Sequence, residues 1–501
     1  MLFVSSEFIF VFLPFVLLAT MFALRCKGRD AGVVVLIIAS LFFYGWWKAW
    51  GLAVLSLSIG VNYTLAHQIA ARTDVTPRRR FLALGVVLNL LALGYFKYRN
   101  FFVDNFLAML GDHSNLGHII PPLAISFYTF QQIAFLVDTY HAKMGRTPFR
   151  EYLLSVVFFP HLIAGPLLHY RDIIQQFETR FRVDGSTIAA GLPVFAMGMA
   201  KKLAIADPIA EVINPLFLKA ETQPLEFLEG WVAALGYTAQ LYFDFSGYSD
   251  MAIGLGLMFG IALPVNFFSP YKSTSIIEFW RRWHITLSSF LRDYLYIPLG
   301  GGRTGPVRRY ANLLTVMILG GLWHGAAWTF VLWGTLHGTM LVINHIWRGM
   351  VSCRFSRLNE RLWLVNGTLT FLVVVLGWVL FRAESIQGAV NVISAMMRPQ
   401  DISVPYPLAF ALGLDPGLWF FGDRGVTIED LFVFLIFGGG AFIIIWFLPN
   451  TAEIFRLRDD LASGPRYRAG WGRTALTGGL LCLSMFGIFS AVPSEFLYFR
   501  F

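Results

Sequence analysis

Charge is scarce in this sequence: of 501 residues, 14% are Asp, Glu, Lys or Arg, against about 25% in soluble globular domains. A chain so poor in charge cannot clothe a large water-facing surface, which excludes an ordinary soluble globule. Cysteine is scarcer still. Cys26, Cys353 and Cys482 lie far apart without metal-ligand spacing, so neither a disulfide framework nor a zinc centre is indicated. The apolar stretch from Met1 to Leu24 lacks a basic leader and a small-residue cleavage site, and it reads as a first spanning helix. No internal repeat or low-complexity tract stands out. Acids are fewer than bases, 30 against 39, leaving a net charge of +9. The bases sit in short loops between apolar runs, as the positive-inside rule expects. Membrane lipids and an anionic cosubstrate are therefore the expected partners, and nucleic acid is not.

What the chain has in abundance is apolar surface. Hydrophobic residues make up 56% of it, with 49 Phe, 15 Trp and 18 Tyr, and aromatics suit the water–lipid boundary. Long apolar runs recur near the roughly 20 residues that cross a bilayer. They fall near residues 5–24, 31–47, 51–71, 81–98, 121–140, 150–168, 186–204, 226–245, 310–328, 330–347, 362–381, 430–448 and 474–492. In lipid, backbone hydrogen bonding leaves helices or a closed barrel. No in–out alternation of about ten residues accompanies these runs, so the expected fold is all-α and polytopic.

Basic loops set the orientation. Arg72 to Arg80, Arg348 to Arg361 and 451–473 should be cytoplasmic. The segment 384–429 is poor in bases and should be a loop facing outward, and the tail 493–501 should lie outside as well. The segment 264–309 carries too many charges to span yet is rich in aromatics and Leu, which suits amphipathic helices on the cytoplasmic face. Between 140 and 265 the alternation fails, because Gly, Pro and His interrupt the apolar runs. Phe158-Phe159-Pro160-His161 and the following Gly165-Pro166 should break a helix, which at membrane depth is tolerated only in protein or beside water.

Several residues could do chemistry. His324 stands in Gly320-Gly321-Leu322-Trp323-His324-Gly325, roughly 20 Å along a helix from the basic end at Arg309. An ionisable group that deep is expensive and faces a cavity by default. Its imidazole, with an ordinary pKa near 6.5, suits a general base that takes a hydroxyl proton. The bland alternative is a histidine satisfied by a neighbouring helix. The small residues around it should let a substrate approach. His284 follows Trp280-Arg281-Arg282-Trp283. That block serves equally as an interfacial anchor or as a donor port whose guanidinium forks hold phosphate. Asp138, Asp244 and Asp250 lie in or beside apolar runs, where they could orient a histidine or fix a helix break, with a structural role favoured. The tail reads Phe496-Leu497-Tyr498-Phe499-Arg500-Phe501. By composition it is an aromatic belt, but a phenol of pKa about 10 is also a better leaving group than a sugar hydroxyl. An acylated Tyr498 could therefore pass its acyl group to sugar.

These blocks, with Pro122 to Gln132, Asp244 to Asp250 and Leu380 to Ser385, resemble the membrane-bound O-acyltransferase family in its branch acting on bacterial polysaccharides. The resemblance covers about residues 1–385. It implies a ring of about 11–13 transmembrane or re-entrant helices around a thinned centre, with cytoplasmic and extracytoplasmic funnels. It makes His324 the catalytic histidine and His284 the second histidine on the cytoplasmic approach. Arg281, Arg282, Trp283 and Trp323 are then the expected donor-binding residues. Phe496 and Phe501 become anchors of an acyl-relay tail centred on Tyr498. The implied placement is the inner membrane of a bacterium, with the whole of 1–501 one membrane-embedded domain.

The reaction expected is transfer from a cytoplasmic donor, acetyl-CoA or an acyl carrier protein, through His324 and Tyr498 to an extracytoplasmic esterase-like Ser-His-Asp acetyltransferase. That partner would acetylate an exopolysaccharide or cell-wall glycan. No bound cofactor and no metal are expected. Rival readings are a D-alanyl transferase of the teichoic-acid type, a transporter or flippase, and a scaffold for polysaccharide export.

Overall fold

Backbone amides have no water to bond in lipid, so apolar runs close their hydrogen bonds within helices. The computed structural model describes residues 1–112, 117–142, 147–168, 170–303, 305–351, 362–401, 428–458, 470–490 and 496–497. It is 80% helix, without a strand among the described residues. Each apolar run read from the sequence contains helix, although the runs near 121–140, 150–168 and 310–328 also include turns or bends. In chain order these are α1 (Phe8–Lys27), α2 (Arg29–Gly45), α3 (Ala49–Ala70), α4 (Val75–Met109), α5 (Ile125–Tyr140), α6 (Phe149–Val157), α7 (Phe159–Leu162) and α8 (Tyr170–Thr179). Next come α9 (Gly185–Ala220), α10 (Phe227–Met258), α11 (Ile276–Arg282), α12 (Ile285–Leu291), α13 (Pro306–His324) and α14 (Trp328–Val351). The last are α15 (Trp363–Arg382), α16 (Ile386–Met396), α17 (Glu429–Phe447), α18 (Thr451–Phe455) and α19 (Trp471–Phe489).

Seven of these, α1, α3, α4, α9, α15, α17 and α19, are long and apolar enough to cross a bilayer. The rest are shorter or more polar, which is why the number of clear spans is lower than the sequence suggests. The chain is a polytopic, multi-pass membrane protein.

Two compact units make up the chain. One takes in Met1–Met199, Tyr248–Val265 and Phe455–Phe499, the other Ala200–Gly247 and Asn266–Ile454. In the first, α3, α4 and α5 pack together around Leu55, Ile59, Ile69, Tyr128, Phe135 and Leu136. Asn62 and Asn89 exchange side-chain hydrogen bonds of 3.2 and 2.6 Å across α3 and α4. Such interhelical amide pairs hold helices together in lipid, where burying apolar area gains little. The expected helix break lies at Phe158, whose ψ of 107° ends α6 before Pro160 opens α7.

Asp184 caps α9. Its carboxylate accepts from the backbone N–H of Ser186 (2.8 Å) and Thr187 (3.0 Å), while Thr187 Oγ1 accepts from the Asp184 N–H at 3.0 Å. The bond from the Ser186 hydroxyl, with help from those amides and Arg182, holds the carboxyl below its ordinary pKa. The cap is therefore complete at neutral pH and is lost as pH falls through that lowered value. Asp184→Ala is expected to destabilise the protein by about 1 kcal/mol at pH 7, read as a lower thermal midpoint in detergent, with the difference from wild type shrinking only as pH falls through the lowered pKa.

In the second unit, α13 and α14 form a hairpin, α14 packs on α15, and α15 on α16. The region 384–429 was expected to be loop, but its beginning is the helix α16. Ser385 caps it by accepting from the Gly388 N–H at 2.9 Å, and Ala389, Val392, Ala395 and Met396 recur at helical spacing to form its buried face. Charge, which guided the loop reading, says nothing about this apolar periodicity. Residues 402–427 lie outside the described residues.

Candidate active site

Pro306 at the first turn starts α13, and His324 is its last residue. The helix stops there because Gly325 turns extended (φ −156°) and lies against Phe330, whose ring a Cβ at 325 would approach to 2.0 Å. The hairpin partner comes equally close. A Cβ on Gly321 would stand 2.2 Å from the Phe330 carbonyl oxygen, and one on Gly334 2.4 Å from that of Met317. The small residues beside His324 thus seat one helix on another. They are not the open approach for substrate that the sequence suggested.

His324 is buried at 4% exposure. Its ring centroid lies 4.9 Å from Trp323, 5.0 Å from Phe381, 5.2 Å from Trp333 and 6.4 Å from His284. An aromatic shell excludes water, so a charge developing inside it is weakly screened. The carbonyl dipoles at the end of α13 favour the cation that an imidazole becomes on taking a proton.

His284 sits between α11 and α12 with φ 42°, a left-handed conformation uncommon for a residue with a Cβ. Asn266 explains it. The Asn266 carbonyl oxygen accepts from the Ile285 N–H at 3.0 Å. Its side-chain oxygen accepts from the Thr286 N–H (3.2 Å) and the Thr286 hydroxyl (3.0 Å). That oxygen is an acceptor, so His284 Nδ1 at 3.2 Å must carry the proton. Nε2 is then the lone-pair nitrogen. His284 also meets Phe245 edge-on at 4.8 Å and Trp323 at 6.3 Å.

The structure separates the residues expected to bind the donor. Arg281 is exposed and Arg282 half-buried, its guanidinium paired with Glu278 at 2.6 Å one turn back on α11. Trp283 is not with them: it is buried, stacked on Phe279 at 5.7 Å and packed on Trp378 at 4.7 Å. Trp323 is buried beside the two histidines, against both rings. The structure thus joins His324, His284 and Trp323 into one cluster and leaves the arginines on the outer side of α11.

Sequence reasoning missed two features of this unit. His337 on α14 is fully buried, 4.8 Å from Trp333 and 5.3 Å from Trp280, so Trp333 bridges it to His324. Gly377 of α15 makes room for it, since a Cβ there would lie 2.7 Å from His337 Nε2. Among the described residues neither ring nitrogen has a hydrogen-bond partner. The available signal was the His337-Gly338 pair, which repeats His324-Gly325 within the next apolar run. The second is Lys202, buried in a π-helical turn of α9, whose ammonium bonds Asp207 at 2.8 Å and Asp244 at 2.6 Å. Asp244 marks no helix break, because α10 runs through it unbroken.

In the other unit, the tail residue Phe496 is buried and stacks on Tyr248 at 4.4 Å, and Tyr248 stacks on Phe3 at 4.9 Å. Tyr498 and Phe501 lie outside the described residues.

Known proteins resemble this chain throughout its length. Residues 142–383 match the model of the membrane-bound O-acyltransferase family, MBOAT. A peptidoglycan O-acetyltransferase of Helicobacter pylori is 37% identical over 533 residues, covering 100% of this chain and 98% of that protein. A probable alginate O-acetylase, AlgI, of Pseudomonas aeruginosa is 44% identical over 405 residues, covering 79% of this chain and 75% of its own. A teichoic acid D-alanyltransferase of Bacillus subtilis is 25% identical over 295 residues, covering 56% of this chain and 73% of its own.

Proposed function

The chain belongs to the membrane-bound O-acyltransferase family, and from that premise we propose that it carries acetyl groups from a cytoplasmic thioester to a bacterial cell-surface glycan. It is an acyltransferase. The observation that carries the reading is His324 at the end of α13, walled by Trp323, Trp333 and Phe381 with His284 at 6.4 Å. A water-poor shell around an imidazole protects a thioester from hydrolysis while giving an attacking hydroxyl a base.

The donor is acetyl-CoA or an acylated carrier protein, which Arg281 on the outer side of α11 helps to hold. The acceptor in this chain is Tyr498. Its phenolic oxygen attacks the acetyl carbonyl, the carbon–sulfur bond breaks, the phenolic proton passes to His324 and then to the departing thiolate. His284, proton on Nδ1, offers its Nε2 lone pair to the same shell. The acetyl ester on Tyr498 is then taken up by a separate extracytoplasmic acetyltransferase and moved to the sugar hydroxyl. Splitting the transfer keeps the polar donor on one side of the membrane while the acetyl group alone crosses. Relatives named for peptidoglycan and alginate acetylation favour acetyl over D-alanyl and a glycan as final acceptor.

Peptide mass spectrometry of the purified protein after incubation with acetyl-CoA tests the relay. The expected result is one added acetyl on the peptide containing Tyr498, absent in Tyr498→Phe and in His324→Gln. Glycan acetylation by a Tyr498→Phe strain at the wild-type level overturns the relay and favours direct transfer.

A further inference from the structure

A cavity of about 670 Å³ lies between α14 and α15, lined also by Thr274, Ser275 and Ile276 before and within α11, with none of His284, His324 and His337 in its lining. The order of its lining carries information. On α14 the wall reads Met340, Ile343, Asn344, Trp347, Arg348, one helical face running from membrane depth towards the basic loop. On α15 it reads Trp363, Asn366, Leu369, Thr370, Val373, running back inward. Both walls place a tryptophan and polar groups at the shallow end, and apart from Thr370 apolar side chains at the deep end, about 12 Å along the helix from Arg348 to Met340.

We propose that this cavity binds one anionic glycerophospholipid, with its phosphodiester at Arg348 and its acyl chains along Ile343, Leu369 and Val373. Three observations favour a lipid. The mouth is apolar and open: Ile343 is 50% and Leu369 58% exposed, and in a multi-pass membrane protein such flanks face hydrocarbon. Trp347 and Trp363, 49% and 59% exposed, stand at the rim, the level where indole rings sit at a bilayer boundary. Basic pockets between membrane helices take up anionic head groups, and Arg348 is the cation among the described lining residues. One guanidinium matches one phosphodiester.

Asn344 sits one helical turn inward from Arg348, with its side-chain oxygen buried without a hydrogen-bond partner among the described residues. That is the acyl-chain side of the phosphate, so it does not select the head group. Phosphatidylglycerol, an anionic glycerophospholipid with a single phosphodiester, is the probe for the site.

The test is native mass spectrometry of the full chain released from vesicles of equal phosphatidylglycerol and phosphatidylcholine. Wild type is expected to retain one phosphatidylglycerol at least fivefold more often than phosphatidylcholine. Arg348→Gln should abolish the preference, and Val373→Trp, which fills the deep end, should lower retention of both lipids. Arg308→Gln, on an exposed face of α13, should leave the preference unchanged. Equal retention by wild type and Arg348→Gln overturns the proposal, as does retention undiminished by Val373→Trp in protein that elutes as a single folded species. Loss of the lipid on adding acetyl-CoA in water would overturn it in favour of a donor site.

Discussion

His324→Ala is expected to lower acetyl transfer about a thousandfold, and His324→Gln to do the same while keeping the fold. General acid–base groups supply about 10²- to 10⁴-fold, so the middle of that range corresponds to roughly 4 kcal/mol of transition-state stabilisation. Alanine alone is an ambiguous test. The imidazole fills space against Trp323, Trp333 and Phe381, with centroids at 4.9, 5.2 and 5.0 Å, and truncating a buried ring costs packing as well as chemistry. Glutamine retains most of the volume and a polar head but is no base at neutral pH. The measurement is acetyl transferred from labelled acetyl-CoA per mole of monodisperse protein. A loss of turnover with an unchanged KM for the donor is the signature of an interaction made in the transition state. Should His324→Gln keep more than a tenth of wild-type turnover, His284 becomes the base, since its Nε2 is the next lone-pair nitrogen in the shell.

Much of this was legible from the residues in order. The all-α class followed from apolar runs without alternation, and the break at Phe158 from Pro160 and His161 inside one such run. The helix that carries His324 at its end followed from the unbroken apolar run after Arg309. What stayed hidden depends on neighbours remote in sequence. Lys202 is one of two adjacent lysines in the sequence, with nothing local to mark it; only the fold brings Asp244 to it. His337 carried no charge pattern, and its burial arises from Trp280 and Gly377 on other helices. Trp283 was grouped with the arginines because they are adjacent, yet one step along a helix turns a side chain by about 100°, here into the core. Gly321 and Gly325 were read as room for a substrate, and what they make room for is Phe330. Phe496 was marked as an aromatic, but its seat on Tyr248 joins two blocks that no local period connects.

Lys202→Met is the substitution with the largest expected effect on folding. The ammonium lies between Asp207 and Asp244 at 2.8 and 2.6 Å, with Lys202 3% and Asp244 0% exposed. Methionine keeps the length of the side chain but removes the charge, leaving two carboxylates to share a site with little water. Breaking a buried ion pair from one side costs about 3–5 kcal/mol, which is a large part of the 5–15 kcal/mol that holds a typical domain together. The expected outcome is a severalfold fall in the fraction of protein surviving mild heating in detergent as a monodisperse species. Removing the carboxylate charges as well should reverse most of it, because replacing a whole buried cluster by neutral groups of similar shape is close to neutral for stability. The triple variant Lys202→Met, Asp207→Asn, Asp244→Asn is therefore expected to survive heating better than Lys202→Met alone. A single variant as robust as wild type would show that the cluster is solvated. A triple variant no better than the single one would show that Lys202 matters through its fit in the π-helical turn of α9, and the charge argument for joining α9 to α10 would fall.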